Sequence, residues 1–159
     1  MISKSAEETQ KIAEKLAKTT KGGKIFALSG DLGGGKTTWT QGFAKGLGIK
    51  EQITSPTFIL IKEYQIKKFQ IPNSKSQTNS KSQTNSKLQT SKLEKLVHID
   101  LYRLKKIDKV FKKEIVEYFQ PENIVIIEWA EKIKDLLPPQ TKWIKFEFID
   151  ENTRKIIIK

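Results

Sequence analysis

Residues 30–38 read GDLGGGKTT, and this stretch decides the fold class of the chain. It fits the pattern G-x-x-x-x-G-K-[ST], which begins at Gly30 and ends with Lys36 and Thr37. The short apolar run IFAL (25–28) before it predicts a buried strand, and the residues after it show the spacing of a helix. A glycine loop between a strand and a helix predicts a phosphate-binding loop, or P-loop.

The physical chemistry of this loop explains its residue types. Glycines let successive backbone N–H groups turn inward around an anion, because they have no Cβ to clash. The helix that follows presents unpaired N–H groups and its positive dipole end to the same anion. Lys36 is expected to reach the β- and γ-phosphates of a bound nucleotide, and the Thr37 hydroxyl to ligate Mg²⁺. The residues predicted to contact the nucleotide phosphates are Asp31, Leu32, Gly33, Gly34, Gly35, Lys36, Thr37 and Thr38.

Two acids stand at the ends of later apolar strands, Asp100 after LVHI and Glu128 after IVII. Open α/β sheets bind ligands at the carboxyl ends of their strands, so both carboxylates are expected at the nucleotide site. Asp100 is predicted to support the metal, and Glu128 to orient the attacking water or to act as a second metal-linked carboxylate. The predicted catalytic residues are Glu128, Asp100 and Lys36, and the predicted metal ligands are Thr37, Asp100 and Glu128. A solvated strand-end acid is the alternative for each carboxylate.

A γ-phosphate sensor needs a hydroxyl on a loop, and the segment ITSPTF (53–58) offers Thr54, Ser55 and Thr57 around Pro56. These three hydroxyl residues are the candidate switch. A simple turn before a strand is the alternative interpretation.

Three residues beside the two acids are candidates for the surroundings of the nucleotide. Trp129 follows Glu128 directly and is a candidate for lining the nucleotide pocket, whereas Tyr102 is interpreted as a packing residue. Arg103 is expected to be the only arginine near the site, where it would stabilise the charge of a transferred phosphate. A structural pair between Arg103 and an acid is the alternative.

Composition excludes several classes of site. The 159 residues predict a single domain over 1–159. The chain has no cysteine and a single histidine, His98, so disulfides, thiolate metal sites and histidine-rich metal sites are excluded. No apolar run approaches the roughly 20 residues that span a bilayer, and the N-terminus lacks the apolar region of a signal peptide. We therefore expect a soluble cytoplasmic protein without membrane contact.

The net charge of +12 raises the question of nucleic-acid binding. Arg103 and Arg154 are the only arginines, although the planar guanidinium is the group best suited to gripping phosphates and bases. Seven of the lysines lie between Lys67 and Lys95. A solvated basic surface is therefore favoured over a dedicated nucleic-acid face, which stays the alternative.

Residues 74–91 read SKSQTN-SKSQTN-SKLQTS, a six-residue unit repeated three times. This composition lacks the apolar area needed to offset the entropy cost of ordering. The interpretation is a disordered low-complexity insertion at about 72–94 between two strands. A functional tether is the alternative.

The rest of the chain alternates between helical and strand patterns. Predicted helices cover 6–19, 37–47, 108–119 and 130–136, and predicted strands cover 25–28, 96–102 and 123–127, with a β-rich stretch after Pro56 within 53–66. The segments WIKFEFI and RKIIIK at the C-terminus predict an antiparallel hairpin. The predicted fold is α/β and P-loop NTPase-like, with a mixed, mainly parallel sheet flanked by helices and a C-terminal antiparallel hairpin.

Four motifs in this order, GDLGGGKTT, ITSPTF, HIDLYRL and IIEWAEKI, resemble the TsaE (YjeE) family over about 25–137. The resemblance implies a P-loop ATPase that uses Mg²⁺, hydrolyses ATP weakly alone and serves tRNA threonylcarbamoyladenosine biosynthesis. It implies TsaB and TsaD as partners, with tRNA contacted indirectly through that complex. It also implies functional roles for Lys36, Thr37, Asp100 and Glu128. The repeat insertion departs from the family's compact strand connection.

Two further functions remain open. A small P-loop kinase is one, although such kinases usually carry several arginines in a lid over the transferred phosphate. A GTPase is disfavoured because the chain has no N-K-x-D motif for reading guanine. A basic RNA-binding module that holds nucleotide only as a structural ligand is the non-enzyme alternative.

Overall fold

The computed structural model describes residues 1–21, 23–66 and 95–159. The strands in these ranges are β1 (Ile2–Ser3), β2 (Lys24–Gly30), β3 (Ile61–Gln65), β4 (Lys95–Asp100), β5 (Asn123–Glu128), β6 (Lys142–Phe148) and β7 (Arg154–Ile158). They form one seven-stranded sheet in the order β1-β7-β6-β2-β5-β4-β3. The four strands β6, β2, β5 and β4 pair in parallel, and the outer pairings are antiparallel.

Helices cover both faces of this sheet. They are α1 (Ala6–Thr19), α2 (Lys36–Gly46), α3 (Lys109–Glu117) and a 3₁₀ helix (Ala130–Leu136). Ser5 caps α1 by accepting the Glu8 N–H, and Asp108 caps α3 by accepting the Phe111 N–H, so each satisfies an otherwise unpaired donor. The helices α1 and α2 pack with one face of the central strands, and α3 and the 3₁₀ helix with the other.

Alternation along β4 decides which side chains meet the P-loop helix. Leu96 packs into the core cluster of α1 and α2, whereas Val97 and Ile99 pack into the opposite cluster. Because successive side chains in a strand point to opposite faces, His98 and Asp100 share the α2 face with Leu96. On β5 every residue is buried, as expected for a central strand covered on both faces.

The two helices on this face approach each other closely at Gly42. A Cβ at Gly42 would lie 2.3 Å from the backbone carbonyl oxygen of Gln10 in α1. The glycine is therefore required by the backbone of the neighbouring helix, and this packing holds α2 and the P-loop before it against the sheet.

The predicted α/β fold with a mixed sheet is confirmed, as are its C-terminal hairpin and each predicted helix to within a few residues. Parallel pairing is confined to the four central strands. The β-rich stretch predicted after Pro56 is wrong over 57–60, because the Pro56 carbonyl accepts the N–H groups of Ile59 and Leu60 and forms a turn. The short β1 was not predicted, since its two residues exist as a strand through pairing with β7.

The insertion predicted at about 72–94 lies outside the described residues. Within the described ranges, none of the helices has both the length and the apolar character that crossing a bilayer requires.

Candidate nucleotide-binding site

The loop between β2 and α2 has the backbone of an anion cradle. Gly33 and Gly35 have φ of 72° and 99°, in the left-handed region that glycine enters without strain. The Gly34 N–H donates to the Asp31 carbonyl at 3.0 Å, which closes the turn. Gly35 is the cap of α2, so the unpaired N–H groups of the first helical turn face the loop.

Lys36 lies inside the loop rather than in solvent, with 4% of its surface exposed. Its ammonium donates to the carbonyl oxygens of Gly30 at 2.7 Å and Asp31 at 2.8 Å, and lies 4.1 Å from the Trp129 ring centroid. Burial lowers the pKa of Lys36 below its usual value, and nearby carboxylates, led by Glu128, oppose that shift. An anion bound in the loop would favour the charged form in the same way.

Glu128 is positioned by β5, the strand beside the P-loop strand. Its carboxylate accepts the Thr37 hydroxyl at 2.9 Å and 3.1 Å to its two oxygens, and the Nε2 of His98 lies 2.9 Å from Oε1. Glu128 is buried, with 3% of the residue exposed. Glu128 thus connects the first turn of α2 to the sheet.

Asp100 lies directly beside Glu128, since the two residues are register partners on β4 and β5. Its Oδ2 accepts the hydroxyls of Ser55 and Thr57, the latter at 2.6 Å, and its Oδ1 accepts the backbone N–H of Tyr102 at 2.9 Å. Two of the three candidate switch hydroxyls are therefore bonded to Asp100.

A cavity of about 420 Å³ connects the loop, the acids and the switch, and this volume lies within the range of about 300–1,000 Å³ typical of ligand pockets. Asp31 and Thr54 do not line it. The predicted site residues that do line it are Leu32, Gly33, Gly34, Gly35, Lys36, Thr37, Thr38, Ser55, Thr57, Asp100, Arg103, Glu128 and Trp129.

The oxygen donors in this cavity fit Mg²⁺. The Thr37 hydroxyl and the carboxylates of Glu128 and Asp100 are hard ligands, and Mg²⁺ is usually held by one or two carboxylates together with substrate phosphates. Among the described residues, no cluster of three or more His, Cys, Asp or Glu side chains forms a metal site by itself.

Trp129 has a left-handed backbone, with φ 59° and ψ 38°, which is uncommon for a residue other than glycine. Its ring lies 5.1 Å from that of Tyr102, so the residues that follow the two acids pack together at the cavity wall. The Lys132 ammonium holds this wall by donating to the carbonyls of Leu101 and Tyr102, each at 2.7 Å. Backbone strain of this kind is concentrated at functional sites.

Sequence reasoning missed Phe58, which lines the cavity, and two residues outside its lining. Arg154, on the C-terminal hairpin, donates to the Gly33 carbonyl at 3.2 Å, so the expectation that Arg103 is the only arginine near the site is wrong. No local signal could reveal this contact across the sheet. His98 was missed too, although its spacing of two from Asp100 places both on one strand face.

The loop defines the class of the protein. The chain has the parts of a P-loop nucleotide-binding protein: a strand, a glycine cradle, a buried lysine and a helix. A carboxylate from the neighbouring strand of the sheet is hydrogen-bonded to the loop threonine.

Comparison with known proteins identifies the family. The model of the family described as "Threonylcarbamoyl adenosine biosynthesis protein TsaE" matches residues 3–74 and 66–156. The chain belongs to this family. The predicted family resemblance is thereby confirmed.

Individual relatives agree with this assignment over nearly the whole chain. The tRNA threonylcarbamoyladenosine biosynthesis protein TsaE of Bacillus subtilis is 34% identical, over 94% of this chain and 78% of the relative. The protein of the same name from Aquifex aeolicus is 34% identical, over 99% of this chain and 93% of the relative. The crystal structure of YdiB from Bacillus subtilis matches with a TM-score of 0.67 and 31% identity, covering 98% of this chain and 80% of that one.

Proposed function

We propose that this chain is the Mg²⁺-dependent ATP-binding and ATP-hydrolysing subunit required for threonylcarbamoyl modification of the adenosine beside the anticodon in ANN-decoding tRNAs. The names of its relatives support the pathway. The observation that carries the ATPase chemistry is the hydrogen bond from Thr37 to Glu128, because it joins the loop hydroxyl to a carboxylate inside the cavity.

In this proposal the chain's own groups bind the nucleotide and organise hydrolysis. The loop N–H groups and the Lys36 ammonium bind the phosphates, and Lys36 exchanges its contacts to the Gly30 and Asp31 carbonyls for phosphate oxygens. Thr37, Glu128 and Asp100 would hold Mg²⁺, which would supply positive charge to the bound phosphates. Glu128 orients the attacking water, since its carboxylate is hydrogen-bonded to Thr37 at the first turn of α2.

The switch is proposed to sense the γ-phosphate through Asp100. Ser55 and Thr57 donate to the same Asp100 oxygen, so movement of their loop changes the surroundings of a proposed metal ligand. Arg103 lines the cavity, and its guanidinium lies 3.9 Å from the ring centroid of Phe58. Arg103 therefore contacts the loop that carries Ser55 and Thr57. Arg103 and Trp129 are proposed as walls of the nucleotide pocket.

The partners proposed are TsaB and TsaD type proteins, with tRNA reached through their complex in the cytoplasm. A small P-loop kinase is the second candidate. The chain has two arginines, Arg103 and Arg154, and Arg154 already bonds backbone carbonyls of its own hairpin and of the loop, which leaves little for an arginine-rich lid.

The test separates binding from turnover with two variants. We expect Lys36→Ala to abolish nucleotide binding in calorimetry, because it removes the buried cation of the loop. Glu128→Gln should bind ATP·Mg²⁺ within a few-fold of the unmutated chain, yet lose about 10²–10⁴-fold in turnover with TsaB and TsaD present.

Glu114→Gln, on the exposed side of α3, is the matched control and should change neither quantity. Turnover of Glu128→Gln at the unmutated rate would refute the assignment of Glu128. Normal threonylcarbamoyladenosine in tRNA from cells depleted of this protein would refute the pathway and favour the kinase.

A further inference from the structure

His98 is a fully buried side chain that the proposed mechanism leaves without a role. It lies on β4 with 0% exposure, and its Nε2 is 2.9 Å from Oε1 of Glu128. Its other ring nitrogen, Nδ1, is buried and has no hydrogen-bond partner among the described residues. Buried polar atoms without a partner are rare, so the position of this histidine requires an explanation.

We propose that His98 is a positioning residue for Glu128, which it holds by donating its Nε2–H to Oε1 of the carboxylate. The carboxylate thereby faces Thr37 and the nucleotide cavity. What this inference says about turnover rests on the proposed ATPase function, whereas the coupling between His98 and Glu128 does not.

The acceptor indicates which ring nitrogen donates. A carboxylate accepts a hydrogen bond and cannot donate one, so Nε2, the ring nitrogen that faces Glu128, is the donor. The bond from His98 therefore runs in one direction, toward Oε1 of Glu128.

The topology makes His98 a rigid anchor. His98 is the register partner of Ile126, so Glu128 lies two residues further along the neighbouring parallel strand, on the same face of the sheet. The other described side-chain bond to Glu128 comes from Thr37, which belongs to the loop that must receive the nucleotide. The bond from His98 comes from the centre of the sheet and does not depend on the state of the loop.

A histidine that merely fills space would behave differently from one that orients Glu128. Two substitutions separate these roles because their amide nitrogens reach different ring positions. In His98→Gln the amide nitrogen reaches about as far from the backbone as Nε2 and can donate to Glu128. In His98→Asn it reaches only the position of Nδ1 and leaves Glu128 without its anchor.

The kinetic experiment measures ATP turnover and ATP·Mg²⁺ affinity of both variants in complex with TsaB and TsaD. We expect His98→Asn to lower kcat by about 10- to 100-fold, as small misplacements of catalytic groups do, with KM and affinity nearly unchanged. His98→Gln should restore most of kcat. Equal kcat in both variants, whether normal or reduced, would overturn the positioning role.

A nucleotide-free measurement keeps the inference independent of the proposed function. Denaturant unfolding of the chain alone is measured for His98→Asn, Glu128→Ala and the double variant. We expect the double variant to lose clearly less stability than the two single losses added, because both substitutions remove the same bond. Additive losses would overturn the inference. If the unmutated chain hydrolysed no ATP in complex with TsaB and TsaD, the proposed function would be refuted. Non-additive losses in the unfolding experiment would still support the inference about His98 and Glu128.

Discussion

Two threonines three residues apart have different environments in this protein. Thr57 lines the cavity and donates to Asp100 at 2.6 Å, whereas Thr54 is exposed and does not line the cavity. Both threonines flank Pro56 and are of the same residue type, so the conformation of the turn determines their different environments. Thr54, predicted as a switch residue, is thus placed away from the site, and Ser55 and Thr57 are placed in it.

The pair provides a prediction with an internal control. We expect Thr57→Val, which keeps the shape and removes the hydroxyl, to lower ATP turnover by about 10- to 100-fold, because a hydrogen bond to a charged group is worth about 1.5–3 kcal/mol. Steady-state hydrolysis in the partner complex measures this effect. Thr54→Val should leave the rate unchanged. An equal loss in both variants would mean that the turn as a whole, and not the bond to Asp100, is responsible.

At the level of elements, the site depends on how α1 supports α2. The carbonyl oxygen and Cα of Gln10 lie 2.3 and 2.4 Å from where a Cβ at Gly42 would stand. The obstacle is backbone, which cannot move aside as a flexible side chain would. A side chain at Gly42 must therefore displace one helix from the other, and α2 carries Lys36 and Thr37 at its first turn.

We expect Gly42→Ala to destabilise the protein by about 1–3 kcal/mol despite the higher helix propensity of alanine, because overpacking outweighs that gain. Thermal or denaturant unfolding measures the change. Lys45→Ala, at an exposed position of the same helix, is the control and should shift stability by less than about 0.5 kcal/mol. A stabilised Gly42→Ala variant would show that α1 leaves room for a Cβ at Gly42.

The elements themselves were largely predictable. Apolar spacing identified α1, α2 and α3, and the apolar runs identified β2, β4 and β5, because these patterns are local. A turn before a strand was only the alternative interpretation of ITSPTF (53–58), because the aromatic and branched residues at 58–61 favour a strand. The hydrogen bonds to the Pro56 carbonyl override that preference and form the turn at 57–60. The two-residue β1 had too little sequence of its own to be recognised.

For the whole molecule, the connection between β3 and β4 joins neighbouring strand ends. Gln65 and Lys95 are register partners on adjacent antiparallel strands, so the strand ends that this connection joins lie side by side. The intervening segment 67–94 includes the predicted disordered insertion, and the distance that it must bridge is short.

We expect deletion of 74–91 to leave the fold and ATP binding unchanged. Residues 66–73 and 92–94 would still join the strands. The shorter loop should raise the free energy of unfolding by at most about 1 kcal/mol, since each halving of loop length lowers the entropy cost of closing the loop by about 0.6 kcal/mol. Thermal unfolding and ATP calorimetry check this. Removal of the single repeat unit 80–85 is the graded control. A large fall in the thermal midpoint after either deletion would contradict the predicted passive insertion.

The sequence by itself determined the phosphate cradle and most of the elements around it. The GDLGGGKTT loop, its strand and its helix are consecutive, so local patterns suffice, and the acids at the ends of LVHI and IVII were found in the same way. Only the tertiary structure decided which groups meet. Thr37 and Glu128 are 91 residues apart, and Gly33 and Arg154 are 121 apart. Such contacts follow from the strand order β7-β6-β2-β5-β4 of the sheet, which local periodicity does not encode.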